Sequence, residues 1–324
     1  MSKVIGIDIS KQTFDVALLD SKTSKWQHHV LENNKLGFKK LCKFISEQSH
    51  VVMEASGSYY LQLALYLEMN NIKVSVVNPL VIRRYSQMKL QRAKTDKKDA
   101  QTIAMYGIEQ NPELWQSQDK EVMELKQLYS TIELLSKQVS QTQHQLEAHT
   151  SSGILSSSLK QELNQHIKTL KRRKEKLETR FRLLSEQTYG DTLERLATIP
   201  GIGKKTAVML TVITNNFKKF DNYRQLIAYV GLSPRKYESG TSVRGRGHIC
   251  KMGQSQIRKL LYMCSWSAKK LNKACIAMYE RLIAKGKAER VVKIAIANKL
   301  LKQAFAIAKN KEVYNENFMQ KVCF

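Results

Sequence analysis

The chain has 324 residues, 42% of them hydrophobic and 25% charged, which is enough apolar material for two cored domains and excludes a disordered tail. A net charge of +26 predicts a polyanionic partner, nucleic acid first, because so many cations repel one another unless something neutralises them. From Gly201 to Phe324 there are 25 Lys+Arg against 6 Asp+Glu, so +19 of the +26 lies there and this part is expected to grip the phosphate backbone. The five scattered cysteines lack CxxC spacing, which argues against a disulfide framework or a zinc site and for a reducing compartment. No apolar run approaches the ~20 residues that span a bilayer, and no cleavable leader precedes the first strand pattern. A cytoplasmic protein with no membrane role is expected.

In chain order, Val4 to Ile9, Thr13 to Leu19 and Trp26 to Leu31 read as a three-stranded meander, the second strand alternating Phe14, Val16 and Leu18 with polar or small residues. Gly37 to Gln48 spaces Phe38, Leu41, Phe44 and Ile45 as a helix does. Val51 to Met53 is a buried strand, Tyr59 to Met69 a second helix, and Val74 to Val77 a fifth strand with Asn78-Pro79 as its stop signal. Three strands followed by helix, strand, helix, strand describe a mixed α/β sheet of the ribonuclease H type. In that architecture Asp8, in the first strand, and Glu54, at the end of the fourth, are neighbours. Asp8 sits among Val4, Ile7 and Ile9, where an unpaired buried charge is costly, so it needs a partner. Asp15 and Asp20 are assigned to turns or edges.

The run Ala93-Lys94-Thr95-Asp96-Lys97-Lys98-Asp99-Ala100 sets two carboxylates three residues apart, on one face if the run is helical. Side by side they repel, and a divalent cation relieves that better than lysines do. Asp96 and Asp99 therefore read as half of a metal site whose other half is Asp8 and Glu54. Oxygen ligands without Cys or clustered His favour Mg²⁺ or Mn²⁺ over zinc. Lys94, Lys97 and Lys98 are candidates for phosphate contact.

After Gly107 the pattern changes. Val122, Leu125, Leu128, Ile132, Leu135, Val139 and Leu146 mark a heptad-like helix, a Ser-rich break follows near Ser151 to Ser158, and a second such helix runs from Leu159 to Leu184. The pair is either a spacer with an oligomer interface or an insertion packed on its own chain. Ile199-Pro200-Gly201-Ile202-Gly203-Lys204-Lys205 ends a helix, turns and restarts another: a helix-hairpin-helix pattern. Gly201 and Gly203 permit close backbone approach, and Lys204 and Lys205 flank free N–H groups that suit a phosphate. Phe220 to Val230 is a further helix. A loop rich in Gly, Ser and Arg follows, with no core to join, in which Arg235, Lys236, Arg244 and Arg246 are candidate phosphate ligands, joined by Lys251 and Arg258 beyond it. Ser239, before Gly240, could attack a phosphodiester if activated. On the residues alone, a loop serine more often only hydrogen-bonds phosphate. Helices Leu260 to Lys270, Lys273 to Lys285 and Arg290 to Ala308 complete the chain.

These pieces, in this order, resemble the DEDD transposases of the insertion-sequence "one-ten" family, with its "eleven-eleven" subgroup, pilin-gene invertases and bridge-RNA-guided recombinases. The resemblance covers nearly the whole chain. Gly6-Ile7-Asp8-Ile9-Ser10, Glu54-Ala55-Ser56-Gly57-Ser58-Tyr59 and Lys94 to Ala100 resemble the three N-terminal motifs. Ile199 to Gly203, Gly231-Leu232-Ser233-Pro234, Ser239-Gly240 and Lys251-Met252-Gly253 resemble the C-terminal domain. Ser56 and Cys250 stand where threonine is usual. The resemblance implies a RuvC-like domain over residues 1–115 with the acidic tetrad Asp8, Glu54, Asp96 and Asp99. It also implies a coiled-coil spacer over 116–190 and a helical transposase domain over 191–324. There Ser239 would form a covalent 5′-phosphoserine bond with DNA, which reverses the odds set by the residues alone. The implied partners are donor and target DNA, a noncoding bridge RNA, and a homodimer that assembles to a tetramer on DNA. Two readings stand beside this one: a Holliday-junction resolvase-like nuclease or DNA invertase, and a non-catalytic architectural nucleic-acid binder.

Overall fold

The computed structural model describes residues 3–20, 23, 25–91, 95–235, 238, 239, 243, 244 and 248–317, the side chains of 238, 239, 243 and 244 excepted. The chain divides into two units, Met1–Gln118 and Asp119–Phe324.

In the first unit, strands β1 (Val4–Ile9), β2 (Thr13–Leu19), β3 (Trp26–Glu32), β4 (His50–Glu54) and β5 (Lys73–Val77) form one sheet in the order β3-β2-β1-β4-β5. The meander β1-β2-β3 is antiparallel, and β4 and β5 extend it in parallel. The mixed α/β sheet is therefore as expected. Alternation along the strands sorts the side chains. Ile5, Ile7, Phe14, Val16, Leu18, Val51 and Met53 bury one face beneath helices α1 (Lys35–Cys42) and α2 (Leu61–Met69). The opposite face is thinner, with Val52 and Val77 packed against Ile82 of α3 (Pro79–Met88) and Ile103 of α4 (Asp96–Gln110).

Two local readings are corrected. Helix α1 ends at Cys42 instead of continuing to Gln48, because Ser46 and Ser49 close a side-chain turn (Ser46 N donates to Ser49 Oγ, 3.0 Å) that competes with another helical turn. Asn78-Pro79 stops a strand, as expected, but it also starts helix α3. Asn78 Oδ1 accepts from Leu80 N at 2.9 Å, and proline tolerates the first helical position because its missing N–H would be unpaired there anyway.

The second unit opens with two long helices, α5 (Lys120–Ser151) and α6 (Ser157–Ala197), joined by the serine-rich turn. Ser156 caps the second, its Oγ accepting from Leu159 N at 3.3 Å. The two helices pack side by side: Tyr129 meets Phe181 with ring centroids 6.1 Å apart, and Arg180 pairs with Glu124. Val122, Leu125, Leu128 and Ile132 are buried in the core they share with α7 (Lys204–Thr214), α8 (Tyr223–Val230), α9 (Ser255–Leu271), α10 (Lys273–Ala284) and α11 (Glu289–Asn310). Helix α6 is interrupted at Tyr189, whose φ of −138° and ψ of 18° are not helical. Among the described residues, no helix is long and apolar enough to cross a membrane.

Candidate active site

Helix α4 is the element that builds the acidic centre, and its seat on the sheet depends on Gly6. A Cβ at Gly6 would collide with the Ala100 carbonyl oxygen and the Ala104 nitrogen, so only glycine lets α4 lie this close to β1. Gly107 does the same from the helix side, where a Cβ would meet Val4 Cγ1 and Val52 Cγ2 at 2.7 Å. Thr95 caps the helix, its Oγ1 accepting from Lys98 N at 3.3 Å, and both Asp96 and Asp99 fall in the first turn. Acids are favoured there because unpaired N–H groups give that end of a helix a partial positive charge.

The result is a convergence: one carboxylate oxygen from each of Asp8, Asp96 and Asp99 lies within 4.8 Å of the other two. Asp8 and Asp99 are half-buried and Asp96 is exposed, so the cluster has a buried floor and an open side. Glu54 stands beside it. Parallel pairing matches Val4 with His50 through Ile7 with Met53, and the same register carried one residue further brings Asp8 level with Glu54. Its carboxylate accepts from Ser56 Oγ at 3.3 Å and lies outside the three-acid cluster, yet it is near enough to act on Asp8. Burial first, and then the charges of Asp99, Glu54, Asp96 and Asp15, push the Asp8 carboxyl up from 3.8 to about 6.

Asp15 is the acid that sequence reading misplaced. It lies inside β2, directly opposite Asp8 in the antiparallel register, and is held by His28 Nε2 at 2.6 Å. The signal was available: if Phe14, Val16 and Leu18 bury one face, Asp15 must lie on the other, with Asp8. Asp20, by contrast, sits in a turn, where its Oδ1 accepts from Thr23 N.

In the second unit the Pro-Gly turn is anchored from below. Gly201, at φ +101°, packs against Ala268 of α9, whose Cβ a side chain at Gly201 would strike at 2.6 Å. Asn272, fully buried between α9 and α10, donates to Pro200 O at 3.3 Å and to Gln303 Oε1 at 3.0 Å, and accepts from Tyr314 Oη at 3.1 Å. Gly203 caps α7 without a side-chain bond, and Lys204 and Lys205 are exposed beside that helix start, Lys205 3.9 Å from Glu133.

Within the segment expected as a loop, the described residues form two short antiparallel strand pairs. Pro234 and Arg235 pair with Ile249 and His248, and Glu238 and Ser239 pair with Arg244 and Val243, so Ser239 sits opposite Val243. Lys94, Lys236 and Arg246 lie outside the described residues, as do the side chains of Ser239 and Arg244. Arg235 and Lys251 are exposed, as are Lys97 and Lys98 on α4. Arg258 is half-buried, one of its donors spent on Val230 O at 2.7 Å at the end of α8.

The DEDD transposase family of IS110 elements matches residues 5–152, and the transposase family of IS116, IS110 and IS902 matches residues 193–280. The pilin gene-inverting proteins of Moraxella lacunata and Moraxella bovis are each 32% identical, the alignments covering 98% of this chain and 99% of each relative. The transposase of insertion element IS1111A from Coxiella burnetii is 24% identical over 80% of this chain and 76% of its own. Fold, acidic cluster and matches together define a DNA transposase or recombinase. The chain belongs to the IS110 family.

Proposed function

We propose that the chain cuts and rejoins DNA strands through a serine–phosphate bond, with Asp8, Glu54, Asp96 and Asp99 as ligands of Mg²⁺ or Mn²⁺. The observation that carries the metal reading is the three-acid convergence. Oxygens within 4.8 Å of one another, supplied by carboxylates alone, suit a hard divalent cation, and the Asp8 carboxyl, raised first by burial and then by its acidic neighbours, faces a repulsion that such a cation relieves. When bound, the cation would offset charge on the phosphate at the site of cleavage. The strand order, with acids on β1 and β4, supports a RuvC-like first domain over residues 1–115. Residues 116–190 then form a coiled-coil spacer, and residues 191–324 a transposase domain with a helix-hairpin-helix.

In the proposed reaction Ser239 Oγ attacks phosphorus, an O–P bond forms, and the bond to the 3′ oxygen breaks. That oxygen takes up the proton which the serine gives up. Attack by a new 3′ hydroxyl then reverses the step and frees the serine. Arg235, Lys236, Arg244, Arg246 and Lys251 hold the phosphates while Lys204 and Lys205 clamp a neighbouring one. A bridge RNA pairing with donor and target supplies the choice of sequence, and the net charge of +26 suits a protein that holds two nucleic acids. The active assembly is a homodimer that pairs into a tetramer on DNA. Inversion is the second reading of the outcome, favoured by the two Moraxella relatives that match along nearly their whole length.

On a suicide substrate that traps cleaved strands, the parent should leave a covalent protein–DNA species. Ser239→Ala should leave none, Ser242→Ala should leave the parental amount, and Asp96→Asn should bind DNA without recombining it. A covalent species surviving in Ser239→Ala would move the nucleophile elsewhere.

A further inference from the structure

Helix α6 carries a charge pattern that none of these roles uses. From Lys168 to Arg182 it holds eight Lys or Arg against two Glu, whereas α5 from Glu121 to Glu147 holds two lysines against four glutamates. A solvent-facing helix ordinarily mixes signs, and like charges four residues apart cost stability. Lys168, Arg172 and Lys176 stand four apart and so form one line, on the side away from Ile167, Leu170 and Phe181, which are buried. Lys171 and Arg173 flank that line, and all five cations are exposed. Among the described residues the nearby acids are already engaged or outnumbered: Glu178 pairs with Lys174 at 3.7 Å and Glu124 with Arg180, while none of the five cations has an ion-pair partner.

Charge selects the occupant. A second copy of this face would be repelled by the first, and a lipid surface requires apolar side chains beside the cations, which Lys168 to Lys176 lack on the exposed side. Phosphate esters meet the requirement, and the family acts on DNA. At ~1.5 Å per residue the line is ~12 Å long, which matches three or four phosphates at ~3.4 Å of axis per strand. We propose that this stripe of α6 is a docking site, indifferent to sequence, for the phosphate backbone of duplex DNA. The long helix is thus a DNA-gripping element as well as a spacer.

The test uses the full-length protein and fluorescence anisotropy on duplex DNA across a salt series. Replacing Lys168, Arg172 and Lys176 together by Gln should reduce the slope of log affinity against log salt by about 2 to 3, at ~0.9 per lost phosphate contact. Arg172→Gln alone should reduce it by about 0.9, which keeps the test alive if the triple variant folds poorly. Exchanging Lys for Arg and Arg for Lys at the three positions should restore the parental slope, because point charges suffice. An unchanged slope in both Gln variants overturns the proposal. So does a loss confined to RNA, or a change in oligomeric mass with the DNA slope unaltered.

Discussion

Asp8 decides how the acidic centre responds to pH. Its carboxyl titrates near 6 instead of near 3.8, because burial and four neighbouring carboxylates disfavour its charge. A group with a raised folded-state pKa binds more protons in the folded than in the unfolded chain between those two values. Its contribution to metal-free stability therefore falls as pH rises from about 4 to about 6 and stays low above that. Asp8→Asn removes the charge while keeping the shape. In a chelator near neutral pH the variant should unfold at a higher temperature than the parent, by roughly 2 to 4 °C for each kcal/mol relieved, and the gap should close toward pH 4. Mg²⁺ should raise the parent's midpoint and leave the variant's nearly unchanged. A variant less stable than the parent at every pH would mean that the acids do not repel one another. At this scale Asp8, Asp96 and Asp99 were legible because charged groups among apolar or like-charged neighbours need an explanation. Alternation along β2 put Asp15 on the face of Asp8, but its position directly opposite Asp8 and its bond to His28 were not legible, since only the register β1-β2-β3 sets them.

The centre's geometry is set by how closely one helix approaches one strand. Gly6 and Gly107, on the two facing surfaces, remove the side chains that would hold α4 and the sheet apart. Gly6→Ala places a methyl group against the backbone of Ala100 and Ala104, which cannot rotate away, so α4 must shift outward. Overpacking of this kind costs typically 1 to 3 kcal/mol. The specific consequence is separation of Asp96 and Asp99 from Asp8. Gly6→Ala should stay folded at a lowered midpoint, lose Mg²⁺-dependent stabilisation and recombine poorly. Retained metal response would show that α4 tolerates the methyl and that the close fit is not what gathers the acids. Most helices and all five strands of the first unit could be read from periodicity, because their apolar faces are buried on one side. Helix α3 could not, as its buried contribution is only Ile82 and Tyr85 and its start looks like a stop. The strand pairing at Ser239 was equally hidden, since pairs two residues long carry no apolar alternation to announce them.

At the scale of the whole molecule, charge and chemistry are divided between the two units. Met1–Gln118 holds 16 Lys+Arg against 11 Asp+Glu, leaving 38 against 17 for Asp119–Phe324, so +21 of the +26 belongs to the second unit. The acids of the proposed metal site belong to the first unit and Ser239 to the second. Nothing in the proposed chemistry requires both to come from one chain. The assembly proposed above, a homodimer that pairs on DNA, offers each serine a choice of acid sets. Complementation tests the point directly. Asp8→Asn and Ser239→Ala proteins, each inactive alone, should regain cleavage when mixed. The acids of the serine variant and the serine of the acid variant then make one intact centre, and the other centre in each mixed dimer carries both defects. At most one productive centre per mixed dimer forms, so with equal inputs and free exchange the mixture should reach about a quarter of parental cleavage, since half the dimers are mixed and each has half its centres. If mixed oligomers are shown to form on DNA and cleavage stays at the background of the separate variants, acids and serine act within one chain.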